Sequence, residues 1–238
     1  MKLDVLVFAA HPDDAELSCG GTILSLVASG KKVGIVDLTR GEMGTRGTPE
    51  IRYQEAVASG RILGLSVREN LAFDDVYFTN DQKHQLEVVK MIRKYQPDII
   101  LCNAIRDRHP DHGKASQLVV QANFMAGLKK IETKSKGIVQ DFWRVKNLYH
   151  YIQTDWIQPD FVVDVSDHWE KRMEAVRAFK SQFFDPDGEQ SNTLISSPEF
   201  INMLDARGIE LGLSIRVKYG EGFTVERNVG VSDLSSLL

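Results

Sequence analysis

Leu3-Asp4-Val5-Leu6-Val7-Phe8-Ala9-Ala10 runs directly into His11-Pro12-Asp13-Asp14, and the reading of this stretch decides the fold. An almost unbroken apolar run of that length suits a strand buried on both faces, as in a parallel sheet. Residues 15–29 follow with helical spacing at Leu17, Ile23, Leu24 and Val27, and Gly30 stops them. The alternation then repeats. Residues 32–38 read as a strand, 39–49 (TRGEMGTRGTP) as a Gly-rich loop and 50–63 as a helix with Ala56, Ile62 and Leu63 inward. Residues 67–73 are a third strand, 81–95 a helix, 98–102 a fourth buried strand and 115–128 a further helix. Strict strand–helix alternation predicts an α/β fold: an open, mostly parallel sheet with helices on both faces, a three-layer Rossmann-like arrangement.

The second half is less regular. Residues 148–152 and 161–165 read as strands, and Ser166-Asp167 caps a helix from about 168 to 182. Residues 183–197 are a polar loop, and 198–207 a helix ended by Gly208. Residues 215–225 are strand-like but interrupted at Gly220-Glu221-Gly222, and the tail 231–238 is apolar enough to dock. Glu221 could reach a site, although a tight turn accounts for its flanking glycines. No internal repeat or linker divides the chain, so 1–238 reads as a single domain.

The 238 residues, 42% hydrophobic and 26% charged, are ordinary for a soluble globular protein that buries a sizeable core. A net charge of −4 counts against a nucleic-acid partner. Cys19 and Cys102 lie in apolar segments outside any Cys-x-x-Cys pair, which excludes a thiol-rich zinc site and fits a reducing compartment. No segment approaches the ~20 apolar residues of a membrane span, and the opening apolar run is too short for a signal sequence. The expectation is a cytoplasmic protein.

A second motif, His109-Pro110-Asp111-His112, follows the fourth strand as His11-Pro12-Asp13-Asp14 follows the first. A His-Pro-Asp string can be a turn with a helix cap. Two of them behind two apolar strands, holding three of the chain's six histidines, point instead to a metal site. In open α/β sheets, ligands bind outside the carboxyl ends of the strands, so two such loops can converge. His11, Asp14 and His112 would supply three ligands and leave a fourth position for water, the layout of a catalytic zinc site. Asp13, next to a ligand, is the natural general base. His109 would face the substrate carbonyl as oxyanion donor or acid, with Asp111 holding one imidazole nitrogen and keeping His109 cationic. On spacing alone the two histidines can exchange roles. Arg52 could grip a carboxylate or carbonyl oxygen, and Arg46 and Arg108 lie in strand-end loops facing the same place. Arg40, Arg46, Arg52 and Glu42 read equally well as solvated residues, and His84, His150 and His168 as structural or surface groups. No G-x-G-x-x-G, Walker or G-x-S-x-G spacing occurs, which argues against nucleotide binding and a serine nucleophile.

The two intact tetrapeptides resemble the zinc-dependent deacetylases that include the PIG-L and LmbE-like proteins. Further stretches are similar to the branch acting on N-acetylglucosaminyl L-malate in bacillithiol biosynthesis: GIVDLTRGE (34–42), GTRGTPE (44–50), Asp107-Arg108, Ser181-Gln182-Phe183 and YGEGF (219–223). The resemblance covers nearly the whole chain. It implies zinc ligands His11, Asp14 and His112, base Asp13, oxyanion donor His109 oriented by Asp111, and Arg52 on the acetyl or substrate oxygens. It also implies one Zn2+ per chain, with Fe2+ as the other candidate, a small amino-sugar substrate, and a homo-oligomer such as a hexamer. The competing readings are a deacetylase of another N-acetylated amino sugar and a metal- or sugar-binding module without turnover. Asp13 and His109 argue against the module, since binding alone needs no base beside a water.

Overall fold

The computed structural model describes residues 1–183 and 193–237. Nine strands occur among them: β1 (Val5–Ala9), β2 (Val33–Thr39), β3 (Val67–Phe73), β4 (Ile99–Cys102), β5 (Lys134–Ser135), β6 (Ile138–Val139), β7 (Asn147–Tyr151), β8 (Phe161–Asp164) and β9 (Gly220–Val225). Seven form one sheet in the order β3-β2-β1-β4-β7-β9-β8, with β5 and β6 paired separately. The run from β3 to β7 is parallel, whereas β9 pairs antiparallel with both β7 and β8. Six helices accompany them: α1 (Asp14–Ala28), α2 (Pro49–Leu63), α3 (Gln82–Tyr95), α4 (Pro110–Ala126), α5 (Trp169–Arg177) and α6 (Pro198–Ser214).

Period-two alternation makes β1 the floor of two cores. Val5, Val7 and Ala9 pack with Ala15, Cys19 and Ile23 of α1 and Ala175 of α5. Leu6, Phe8 and Ala10 pack on the other side with Val88, Val89 and Ile92 of α3 and Leu118 and Val119 of α4. All five residues of β1 are buried, which is why the strand is apolar without interruption. Each large aliphatic side chain so placed contributes about 1.5–3 kcal/mol. The expected three-layer α/β fold is therefore present.

The chain winds outward from β1 through β2 to β3, then crosses back to lay β4 on the other flank of β1. The loops after β1 and β4 consequently diverge, and the crevice between them is the topological switch point of the sheet.

Some elements differ from expectation. Helix α4 begins at Pro110, not 115, because proline occupies its first turn and the His109 imidazole accepts the Asp111 amide as a cap. Helix α5 ends at Arg177, and a 3-10 turn over Ser166–His168 precedes it. Helix α6 runs through Gly208 to Ser214; a Cβ at Gly208 would collide with the Trp169 indole, so this glycine is a packing requirement, not a stop. Strand β9 passes straight through Gly220-Glu221-Gly222, and 215–219 lies outside it. In the tail, Val231, Leu234 and Leu237 are 44%, 79% and 57% exposed and do not dock. Of the polar loop expected over 183–197, residues 184–192 lie outside the described residues. Among the described residues no helix is long and apolar enough to cross a membrane.

Candidate active site

Both tetrapeptides sit at the β1/β4 crevice. His11 leaves β1, Asp14 opens α1, and Asp111 and His112 stand in the first turn of α4. The structure brings His11, Asp14 and His112 together. The Asp14 carboxylate lies 3.6 Å from His11 Nδ1 through one oxygen and 3.1 Å from His112 Nε2 through the other. The far nitrogen of each imidazole faces another carboxylate. His11 Nε2 is 3.0 Å from Asp75 Oδ1, and His112 Nδ1 is 2.6 Å from Asp107 Oδ2. Such carboxylate partners fix imidazole orientation and tautomer and raise ligand basicity. Two anchored imidazoles and a carboxylate make a donor set that could hold zinc or a similar divalent ion. Two sets have one donor atom from each member within 4.8 Å of the others: His11, His109 and His112, and His11, Asp75 and Asp111.

The electrostatics follow from burial and pairing. Burial opposes charge on His112, yet Asp14 and Asp107 on either side push its imidazole up to about 9. Burial likewise opposes charge on Asp14, but His112 and His11 outweigh it and hold the carboxyl well below the usual range.

Asp13 touches neither imidazole. It adopts φ 117°, a left-handed conformation uncommon for a side chain with a Cβ and costing of order 1–3 kcal/mol. Arg52 holds it there: Nη2 donates to the Pro12 carbonyl at 2.5 Å and to Asp13 Oδ2 at 3.2 Å, while Nη1 donates to the Gly41 carbonyl at 3.3 Å. A Cβ at Gly41, itself at φ 67°, would overlap Arg52 Nη1, so glycine is needed to make the slot. Burial pushes the Asp13 carboxyl up to about 7, against the pull of Arg52.

His109 is half-buried, its ring centroid 4.7 Å from that of His11 and 5.2 Å from that of His112. The expected link from Asp111 is different in kind. Only the Asp111 backbone N–H reaches His109 Nδ1, at 3.3 Å. Its carboxylate accepts from the Val76 N–H and the Lys114 ammonium and lies 3.5 Å from His11 Nε2. Placement inside the first helical turn aims the side chain at β3's loop, away from the preceding imidazole. Burial, then the neighbouring His11 and His112, lower the pKa of His109, against the opposing pull of Asp111.

A cavity of about 340 Å³ opens over these groups. Arg46 and Arg52 are buried in its wall, Arg108 lines it as an exposed residue, and the Arg52 guanidinium bonds the Pro12 and Gly41 carbonyls and the Asp13 carboxylate. Sequence reasoning missed Asp75, Asn103, Asp107 and Gln153. Asn103 Nδ2 donates to Asp14 Oδ2 at 3.0 Å, and Gln153 Nε2 donates to Asp14 Oδ1 at 3.1 Å. Each lies in a loop behind the C-terminal end of a parallel strand: Asp75 behind β3, Asn103 and Asp107 behind β4, and Gln153 behind β7. Glu221 lies in the cavity wall, with its carboxylate taken up by groups of the fold. It accepts from the Gly21 and Thr22 amides and the Thr22 hydroxyl and faces Arg172, bracing α1 where its helical path breaks at Cys19.

An α/β fold carrying an anchored His-carboxylate-His set beside an unligated, buried carboxylate marks the class: an enzyme-like protein able to hold a divalent metal at the switch point of its sheet. The family profile described as PIG-L, GlcNAc-PI de-N-acetylase, matches residues 6–123. Diacetylchitobiose deacetylase of Thermococcus kodakarensis is 33% identical over 75% of this chain and 70% of its own. The chain belongs to this PIG-L deacetylase family. A conserved protein of Thermus thermophilus with a solved crystal structure is 36% identical, with a TM-score of 0.87 over 98% of each chain. Two relatives are 25% identical: 4-oxalmesaconate hydratase of Pseudomonas putida, over 74% of this chain and 73% of its own, and the probable N-acetyl-alpha-D-glucosaminyl L-malate deacetylase 2 of Bacillus anthracis, over 75% and 81%.

Proposed function

We propose that this chain, acting as one catalytic unit, removes acetate from an N-acetylglucosaminyl conjugate. The observation that carries the reading is the Asp13 carboxylate: buried, strained, held by Arg52, and set beside the metal donors without joining them. His11 Nδ1, one Asp14 oxygen and His112 Nε2 would hold one Zn2+, or Fe2+ in its place. The ion would polarise the amide carbonyl and lower the pKa of a bound water toward ~7. Asp13 accepts the proton from the attacking water and is placed to pass it to the departing amine. With His109 Nδ1 taken by the Asp111 amide, its Nε2–H is free to donate to the carbonyl oxygen as negative charge develops. Here His109 works neutral, in agreement with its lowered pKa.

The finer reading is an L-malate aglycone, as in bacillithiol biosynthesis. It rests on the resemblance of the loop segments, on the Bacillus relative, and on Arg108 at the cavity edge, where a guanidinium can grip a carboxylate in bidentate fashion. Comparing kcat/KM for N-acetylglucosaminyl malate, N,N'-diacetylchitobiose and free N-acetylglucosamine tests it. A malate preference of at least about tenfold that Arg108→Lys narrows supports it; equal values return the enzyme to a broader amino-sugar specificity. The hydratase relative motivates one competing reading, in which the same water adds to a carbon–carbon double bond and no acetate appears.

A further inference from the structure

Gln153 follows β7 at the cavity wall and contacts two of the three proposed ligands. Its Nε2 lies 3.1 Å from Asp14 Oδ1 and 3.3 Å from His112 Nε2. A carboxamide has one end that can coordinate a cation, the oxygen, and one that cannot. Which end faces the donors is fixed by the surrounding bonds. Asn103 Oδ1 must accept the Ala10 N–H at 2.9 Å, which turns Asn103 Nδ2 toward Asp14 Oδ2 and Gln153 Oε1, each at 3.0 Å. The Ala104 N–H donates to the same Gln153 Oε1 at 3.1 Å. Two donors thus hold the Gln153 oxygen away from the ligands and leave its NH2 facing them. Asn103 is fully buried and Gln153 only 8% exposed, so flipping either amide would bury opposed N–H groups.

We infer that Asn103 and Gln153 are positioning residues that would keep a bound metal at three protein ligands: Gln153 lies within reach of two of the proposed ligands, with its non-coordinating end locked toward them. This rests on the metal reading given above. A fourth protein ligand would convert an open, catalytic arrangement into a closed, structural one. The lock also gives each Asp14 oxygen one amide donor, which holds the carboxylate's orientation. A carboxylate at 153 would present an oxygen whichever way it turned. A carboxylate at 103 could no longer donate to Gln153 Oε1; it would accept from Gln153 Nε2 and turn Oε1 toward the ligands.

The test compares the full-length wild type with Gln153→Glu, Asn103→Asp and Gln153→Met, using zinc affinity by chelator competition, the visible spectrum of the Co2+ form, and acetate release. Gln153→Glu should bind zinc at least about tenfold more tightly, change the Co2+ spectrum, and release acetate at least about tenfold more slowly. Asn103→Asp should move affinity and turnover in the same two directions, and it decides the matter if Gln153→Glu does not fold. Gln153→Met, which brings no oxygen and removes the amide donor to Asp14, should bind zinc no more tightly than wild type. Unchanged or weaker zinc binding in the folded carboxylate variants, or an unaltered Co2+ spectrum, overturns the inference while leaving the metal site standing. A wild type that binds no divalent metal overturns both.

Discussion

Arg52 and Asp13 form a 3.2 Å ion pair in which the same guanidinium nitrogen also grips the Pro12 carbonyl, so one cation restrains both the charge and the backbone of the proposed base. Asp13 must be ionised to accept a proton. Burial raises its pKa to about 7 and Arg52 opposes that rise, so activity should fall as pH drops through this region. Removing the cation raises the pKa further. Arg52→Gln should move the acid limb of kcat/KM upward by about 1 unit, and Arg52→Lys by less. A limb that stays in place would show that Asp13 is not the group titrating.

Asp13→Asn should retain metal at the wild-type stoichiometry and lose about 10²- to 10⁴-fold in turnover, because an amide cannot take the proton. Metal analysis on the same sample as the rate separates the base from a ligand. A variant within a few-fold of wild type places the base elsewhere.

The carboxylates behind the imidazoles should matter without being ligands. Asp75→Asn and Asp107→Asn should each weaken zinc binding by about 10- to 100-fold, measured by chelator competition. Because His112 is pushed up to about 9, zinc must displace a proton at neutral pH, and affinity should rise as pH rises toward that value. Wild-type affinity in both variants would place the metal away from His11 and His112.

Glu221 should act on stability alone. Glu221→Ala would leave the buried Gly21 and Thr22 amides and the Arg172 guanidinium without their partner. The expected loss is about 3–5 kcal/mol in chemical denaturation. A loss below about 1 kcal/mol would mean that water or a shift of α1 replaces the carboxylate.

The layout of the first half is legible because β1, β2 and β4 are buried on both faces, so their apolar runs and the turns behind them leave a plain periodicity. The two tetrapeptides stand out for the same reason: polar residues directly behind such a strand have the crevice as their place. Asp75, Asn103 and Gln153 carry no motif. Each is one polar residue after a strand, and only the order β3-β2-β1-β4-β7 shows that those strand ends meet. Gly208 and Gly220 mislead because a glycine that admits a neighbouring group reads like one that ends an element; Trp169 and Val162 occupy the space their side chains would fill. That the Arg52 slot is formed by Pro12, Asp13 and Gly41 cannot be read from sequence, because these residues meet only through the fold. The Asp111 carboxylate escapes the same way, since its partners His11, Val76 and Lys114 meet only through the fold.

The most direct test of the central claim is acetate release by protein carrying one zinc per chain, with N-acetylglucosaminyl malate and N,N'-diacetylchitobiose as substrates and Asp13→Asn as control. The account predicts one acetate and one free amine per turnover from at least one of them, abolished in the control while its zinc remains. Zinc-loaded wild type that releases no acetate from either and instead hydrates 4-oxalmesaconate, or a control as active as wild type, would contradict it.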